Sequence, residues 1–195
     1  MWSPSGDATY VNASDEKPLA PASLNSLDAS MPLVPFASLP DDSRVWIFAA
    51  AAPIEDVDEG KLLAAVDGYL LQWKAHGHAL TCAREWRDEH FLVIGVDQRT
   101  EGASGCSIDG LFRTLQGMER DVGTSLVGGG LVFFRDAAGM VHSVARKDFK
   151  RLSRSGDVSS ATRVFDTTLT TAGDYRARFE RAAGESWHAT LLTAR

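Results

Sequence analysis

Apolar and polar positions change period several times along this chain, and each change marks an expected element. The run Arg44, Val45, Trp46, Ile47, Phe48, Ala49 is β-branched and aromatic without a polar break, the pattern of a buried strand. Over residues 56–75, Leu62, Leu63, Val66, Tyr69, Leu70 and Trp73 recur on one helical face. Asp56 and Glu59 have capping-box spacing at the start of that helix, and Gly77 lies just past its end. Leu80, Cys82, Arg84 and Trp86 alternate with Thr81, Ala83, Glu85 and Arg87, which predicts a strand with two different faces. A turn at Asp88 and Glu89 leads into the more buried strand 91–96, completing a hairpin. Ile108, Leu111, Phe112, Leu115, Met118 and Val122 then keep helical spacing up to Gly123.

Residues 126–134 and 140–145, joined by a turn over 136–139, read as a second hairpin. The resulting order β-α-β-β-α-β, plus one further strand, predicts an α+β protein: a ferredoxin-like split βαβ sandwich with an extra hairpin strand and a small C-terminal appendage. In that appendage, residues 148–153 form a short helix ending before Gly156, residues 163–165 a short strand, and residues 175–182 a helix capped by Thr171 and Asp174. Trp187 is large enough to anchor the end of the chain. Three regions are expected: a disordered Pro/Ser/Ala-rich tail over 1–32, a core over 33–146, and the appendage over 147–195. The tail follows from composition. Six of the 7 prolines fall in the first forty residues, among small polar residues that offer too little apolar surface to offset ordering.

Composition narrows the function classes. A net charge of −6 argues against a nucleic-acid partner, and the basic stretch Arg146, Lys147, Lys150, Arg151, Arg154 reads as the wet face of a helix. No apolar run is long enough for a membrane helix, and the N-terminus lacks the basic-then-apolar pattern of a secretory signal. A soluble cytoplasmic protein is therefore expected, without membrane insertion, with Cys82 and Cys106 as thiols in a reducing compartment.

The place where chemistry is expected is the turn Ser104, Gly105, Cys106, Ser107, just before Ile108 and Asp109. Unpaired backbone N–H groups and the positive end of the helix dipole converge at a helix start, which favours anions and thiolates. A small-ligand or anion-binding domain with Ser104, Gly105 and Ser107 as its binding residues is the expected function. One alternative is a thiol enzyme with Cys106 as nucleophile, His76 or His188 as base and Asp109 as orienting group. The other alternative is a protein–protein adaptor. His76 also suits a helix C-terminus, where a cation is favourable. His76 and His78 lack a visible third ligand, so no metal site and no cofactor are expected. Gly128, Gly129 and Gly130 lie among apolar strand residues and lack the GK[ST] ending of a phosphate loop, so a bulge or close backbone packing is expected there.

Several segments together carry a family resemblance: Arg44-Val45-Trp46-Ile47, Gln72-Trp73-Lys74-Ala75-His76-Gly77, Ala103-Ser104-Gly105-Cys106-Ser107-Ile108-Asp109, Val164-Phe165-Asp166 and Ser186-Trp187-His188-Ala189. From about Pro35 onward the chain resembles a family of small bacterial proteins of unknown role, many labelled ABC transporter ATPase. The resemblance implies that the Cys106 turn, His76 and the Trp187-His188 pair are recurring motifs. It implies no activity, because groups that cradle phosphates and hold magnesium are missing from the sequence.

Overall fold

The computed structural model describes residues 33–99 and 101–193. The expected tail over 1–32 lies outside the described residues. The chain is α+β, built on two antiparallel sheets and a small separate hairpin. After a 3₁₀ turn at Phe36–Ser38 come β1 (Arg44–Ala49), α1 (Asp56–Leu70), β2 (Lys74–Ala75), β3 (His78–Ala79), β4 (Cys82–Arg87), β5 (Phe91–Val96) and α2 (Gly105–Glu119). Then follow β6 (Leu131–Arg135), β7 (Val141–Ala145), α3 (Arg146–Ser155), β8 (Arg163–Phe165), α4 (Ala172–Arg178) and β9 (Glu180–Ala182), with 3₁₀ turns at Ala183–Glu185 and Trp187–Leu191.

Sheet one has the order β1-β5-β4, and sheet two has the order β7-β6-β8-β9. In a complete split βαβ sandwich the strand after α2 would pair with β1. Here Leu131–Arg135 lies instead inside sheet two, between β7 and β8. Residues 147–195, expected as an appendage, supply two of that sheet's four strands and are integral to it.

Side-chain alternation gives the layers. Phe48, Leu92, Ile94 and Val96 on one face of sheet one pack with Leu62, Val66 and Leu70 of α1 and Leu111 and Leu115 of α2. The opposite face, with Val45, Phe91 and Val93, packs on Phe133 and Phe165 of sheet two and on Tyr175 and Phe179 of the α4 segment. Beyond sheet two, Val132, Phe134 and Val164 are covered by Phe149 of α3 and by Leu191. Helices, sheet, sheet and helix thus stack in that order. Every residue of β5 is buried, because it is the middle strand of a sheet covered on both sides.

Phe91 sits at the middle of this stack, its ring 4.6 Å from Phe165, 5.0 Å from Phe179 and 5.2 Å from Phe133. At one rim Arg135 ties the sheets together, donating to Asp88 at 2.9 Å and to Glu180 at 3.0 Å. Asp88 belongs to the β4–β5 turn, where it and Glu89 hold left-handed φ values of 53° and 57°. Gly95 leaves space for the 3₁₀ turn, since a Cβ there would run into Leu39.

Several element ends differ from the periodicity. α1 stops at Leu70 rather than 75, because His76 and Gly77 take φ values of 50° and 86° in the two-residue loop that pairs Ala75 with His78. Two left-handed loop residues suit the twist of a tight hairpin, and the apolar spacing of Trp73 hid this. Glu55 is the N-cap of α1, without a side-chain bond, so the expected Asp56–Glu59 capping box does not form. α4 ends at Arg178, and Glu180–Ala182 is a strand where helix was expected, because β8 offers it a pairing edge. Thr171 does cap α4, accepting from the Asp174 N–H at 3.2 Å.

Phe91→Ala removes the ring shared by both sheets and is expected to destabilise the protein by about 3–5 kcal/mol. Urea denaturation measures this; a loss under about 1 kcal/mol would mean that the two sheets do not depend on this contact.

Candidate functional site

The turn before α2 is a well-made helix cap. Ser104 holds φ −80° and ψ 159°, and its Oγ accepts from the Ser107 N–H at 3.3 Å. The Ser107 hydroxyl donates back to the Ser104 carbonyl at 2.9 Å. Ser104 is thus the N-cap, and Gly105, Cys106 and Ser107 are already helical, where the apolar pattern put Cys106 and Ser107 at or just before the cap. Cys106 is a free, exposed thiol. The end of α1 does come to this turn: Tyr69 Oη and Trp73 Nε1 both donate to the Ser107 carbonyl, at 2.5 Å and 3.1 Å. Gly110 permits this approach, because a Cβ there would stand 2.6 Å from Tyr69 Oη. Lys74 and Gln72 join Tyr69, Trp73 and Ser107 around a shallow groove of about 320 Å³.

Of the other residues named for a thiol site, His188 lies in a different layer. His76 is in the β2–β3 turn, not at a helix C-terminus. Asp109 is exposed and pairs with Arg113 at 2.9 Å along the same helix face, so its carboxylate orients no imidazole. His188 is fully buried in the layer beyond sheet two, 6.2 Å from the Phe149 ring and stacked on Trp187 at 3.8 Å. Two sheets stand between that layer and the one containing α2. Burial pushes the His188 pKa down to about 4, and Ser186 Oγ lies 2.7 Å from its Nδ1. Cys82 is buried against α1, 3.6 Å from the Leu70 carbonyl, and burial pushes its thiol up to about 12.

A larger groove of about 370 Å³ runs beside β1. All of Val45, Trp46, Ile47, Phe48 and Ala49 line it. Consecutive residues point to alternate faces of a sheet, so a wall made of five in a row is the backbone edge of the strand. The facing walls are Leu126 to Leu131 with their three glycines, and the loop Thr167, Thr168, Leu169, Thr170. Phe112 and Trp187 add aromatic surface. Arg146, stacked 5.0 Å from the Trp187 ring, is the one charged group among the described lining residues.

Two carboxylates hold these walls. Glu119 at the end of α2 accepts from the N–H groups of Leu126 at 2.8 Å and Val127 at 2.9 Å, and from Ser125 Oγ at 3.2 Å. Those donors, the backbone ones above all, hold its carboxyl below the usual range. Asp166 accepts from Trp187 Nε1 at 3.1 Å and from the Thr168 hydroxyl at 2.6 Å. Gly130 needs its left-handed φ of 99° to enter β6, which therefore starts at Leu131 and not at 126. Sequence reasoning passed over this groove. Its one local signal was the glycine run, and the free edge facing it is a matter of pairing.

No family model, no curated protein and no solved structure matches this chain.

In the folded protein, iodoacetamide is expected to add once, at Cys106, and to reach Cys82 only on unfolding, as counted by intact mass. Two adducts formed at similar native rates would contradict the burial of Cys82. A second expectation concerns acid. His188 is depressed to about 4 against an ordinary 6.5, so between those values the unfolded chain binds the extra proton. Stability from this group is full above pH 6.5 and is lost as pH falls toward 4, by roughly 2–3 kcal/mol. His188→Leu should flatten that part of the urea-midpoint profile, and an unchanged slope would refute the assignment.

Proposed function

We propose that this domain is a ligand-binding module without catalytic chemistry of its own, and that its ligand lies in the groove beside β1 and carries an anionic group. One observation carries the reading: among the described residues, a cavity of about 370 Å³ combines the unpaired edge of β1, aromatic walls and one cation, Arg146. That is the usual make-up of a small binding site, mostly apolar with a few directed polar groups. Thr167, Thr168 and Thr170 add hydroxyls to the side opposite the glycines. Against a thiol enzyme that uses His188 as base stand the two sheets between it and Cys106. The order β1-α1-β4-β5-α2 is that of the first five elements of a ferredoxin-like unit, and we propose that relation for this part of the chain alone.

A second reading keeps an anion at the Ser104 turn. It is favoured by Lys74, whose groove reaches Ser107 at the start of α2. The two are separable with one probe, 8-anilinonaphthalene-1-sulfonate, which has apolar rings and a fixed negative charge. Titrated into ¹⁵N-labelled protein, it is expected to shift the signals of Gly129, Thr168 and the Trp187 indole. Arg146→Ala should weaken it about fivefold, the worth of a partly exposed ion pair. Shifts confined to Lys74 and residues 104–107, abolished by Lys74→Ala, would favour the second reading. Shifts at neither place would sink both.

A further inference from the structure

Backbone hydrogen bonding along β1 alternates in direction. Ala50 N–H donates inward to His90 O at 2.8 Å, whereas Val45 N–H donates outward to Thr170 O at 2.9 Å. Trp46 and Phe48 face β5 in the same register as Ala50, paired with Ile94 and Leu92. Alternation then turns the N–H and C=O of Ile47 and Ala49 outward, away from β5. Among the described residues none of these four groups has a hydrogen-bond partner. At the other edge of sheet one, Val34 N–H donates to Cys82 O at the start of β4 at 2.9 Å, and the pocket lined by aromatic side chains and Arg146 lies along β1.

The open stretch is closed off at both ends by the chain itself. Thr171 bridges antiparallel to Arg44 at one end. At the other, Ala51 N–H donates to Ser125 O at 3.1 Å and Ala52 N–H to Thr124 Oγ1 at 3.0 Å. Between Trp46 and Ala50 the gap is about 13 Å, four residues of strand. Two recessed edges of this shape cannot reach each other, so a second copy is a poor occupant. A free extended segment can enter.

We infer that the ligand of the β1 groove is a short extended peptide segment bearing an acidic residue, which adds as an extra strand by pairing with Ile47 and Ala49. This deepens, and rests on, the reading that the groove beside β1 is the binding site. Donors and acceptors repeated every second residue along one edge are matched by another extended backbone. A Cβ on Gly129 or Gly130 would meet nothing within 4 Å, so the facing wall leaves room for the incoming side chains. Charge complementarity selects the acidic residue, because Arg146 is the one ionised group among the described lining residues and Arg44 stands exposed at the head of β1. A free edge of this length is too short to template aggregation, which is how natural sheets leave edges open safely.

The test uses a random heptapeptide display library selected on the full chain, with Ile47→Pro as counter-target. Proline removes the outward donor and leaves the β5 pairing intact, as edge strands tolerate. Circular dichroism checks that the variant folds, and Ala49→Pro replaces it if it does not. Expected are enriched peptides with an acidic residue among β-branched ones. The best of them, made synthetically, should slow amide exchange of Ile47 and Ala49 at least tenfold. N-methylation of its alternate amides should weaken binding at least tenfold, about the worth of one or two backbone bonds. No enrichment over the proline variant, unchanged exchange at both amides, or indifference to N-methylation each overturns the inference. If the peptide fails while the sulfonate dye still shifts Gly129 and Thr168, the strand inference falls and the ligand-binding reading stands. If both fail, both fall.

Discussion

The contact of Phe91 with Phe133, Phe165 and Phe179 joins parts of the chain far apart in sequence, and it determines what else the protein can be. A three-stranded sheet with helices on one face leaves the other face bare. That face carries Val45, Phe91 and Val93, and it is covered by sheet two and α4. With both faces covered, the backbone groups of sheet one can reach other partners only at its edges. One edge meets Val34, and the other is held at its ends by Thr170, Thr171 and Ser125. The groove beside β1 lies between the closures at the two ends of that strand. Its position is thus a result of the sandwich and not of any special loop.

Much of the first half of the fold was legible because each element carried its period in full. The residues that α1 and α2 bury are among those the helical spacing picked out, and β5 read as a buried strand because apolar residues fill it almost without a break. Misreadings fell where two signals overlapped. Trp73 keeps the helical period of α1 although the chain has already turned toward a hairpin set by His76 and Gly77. Residues 180–182 extend the apparent helix of α4, but β8 offers them an edge and pairing prevails. Such tertiary overrides of local preference are normal for short elements.

The site was less legible, for a physical reason. A cap motif such as Ser104 to Ser107 is local, so its residues announce it, and the hydrogen bonds of Ser104 and Ser107 realise it. Bringing His188 to Cys106 was a different matter, since it required knowing that the last residues lie beyond the second sheet. A backbone edge has no residue signature at all, because the groups that matter are common to every amino acid. Only the pairing order shows that Ile47 and Ala49 face outward, unpaired among the described residues.

The order in which the partners of Phe91 occur along the chain also bears on how the protein is made. The partners that cover the Phe91 face of sheet one arrive in order: Phe133, then Phe165, then Phe179. Until synthesis passes that last residue, a nascent chain holding β1, β4 and β5 carries an uncovered apolar face. Loop closure over so long a separation is slow, and exposed sheet surface in that interval is where aggregation starts. Closure of both sheets therefore waits on the segment around Phe179, and shielding of the growing chain matters until that segment has been made.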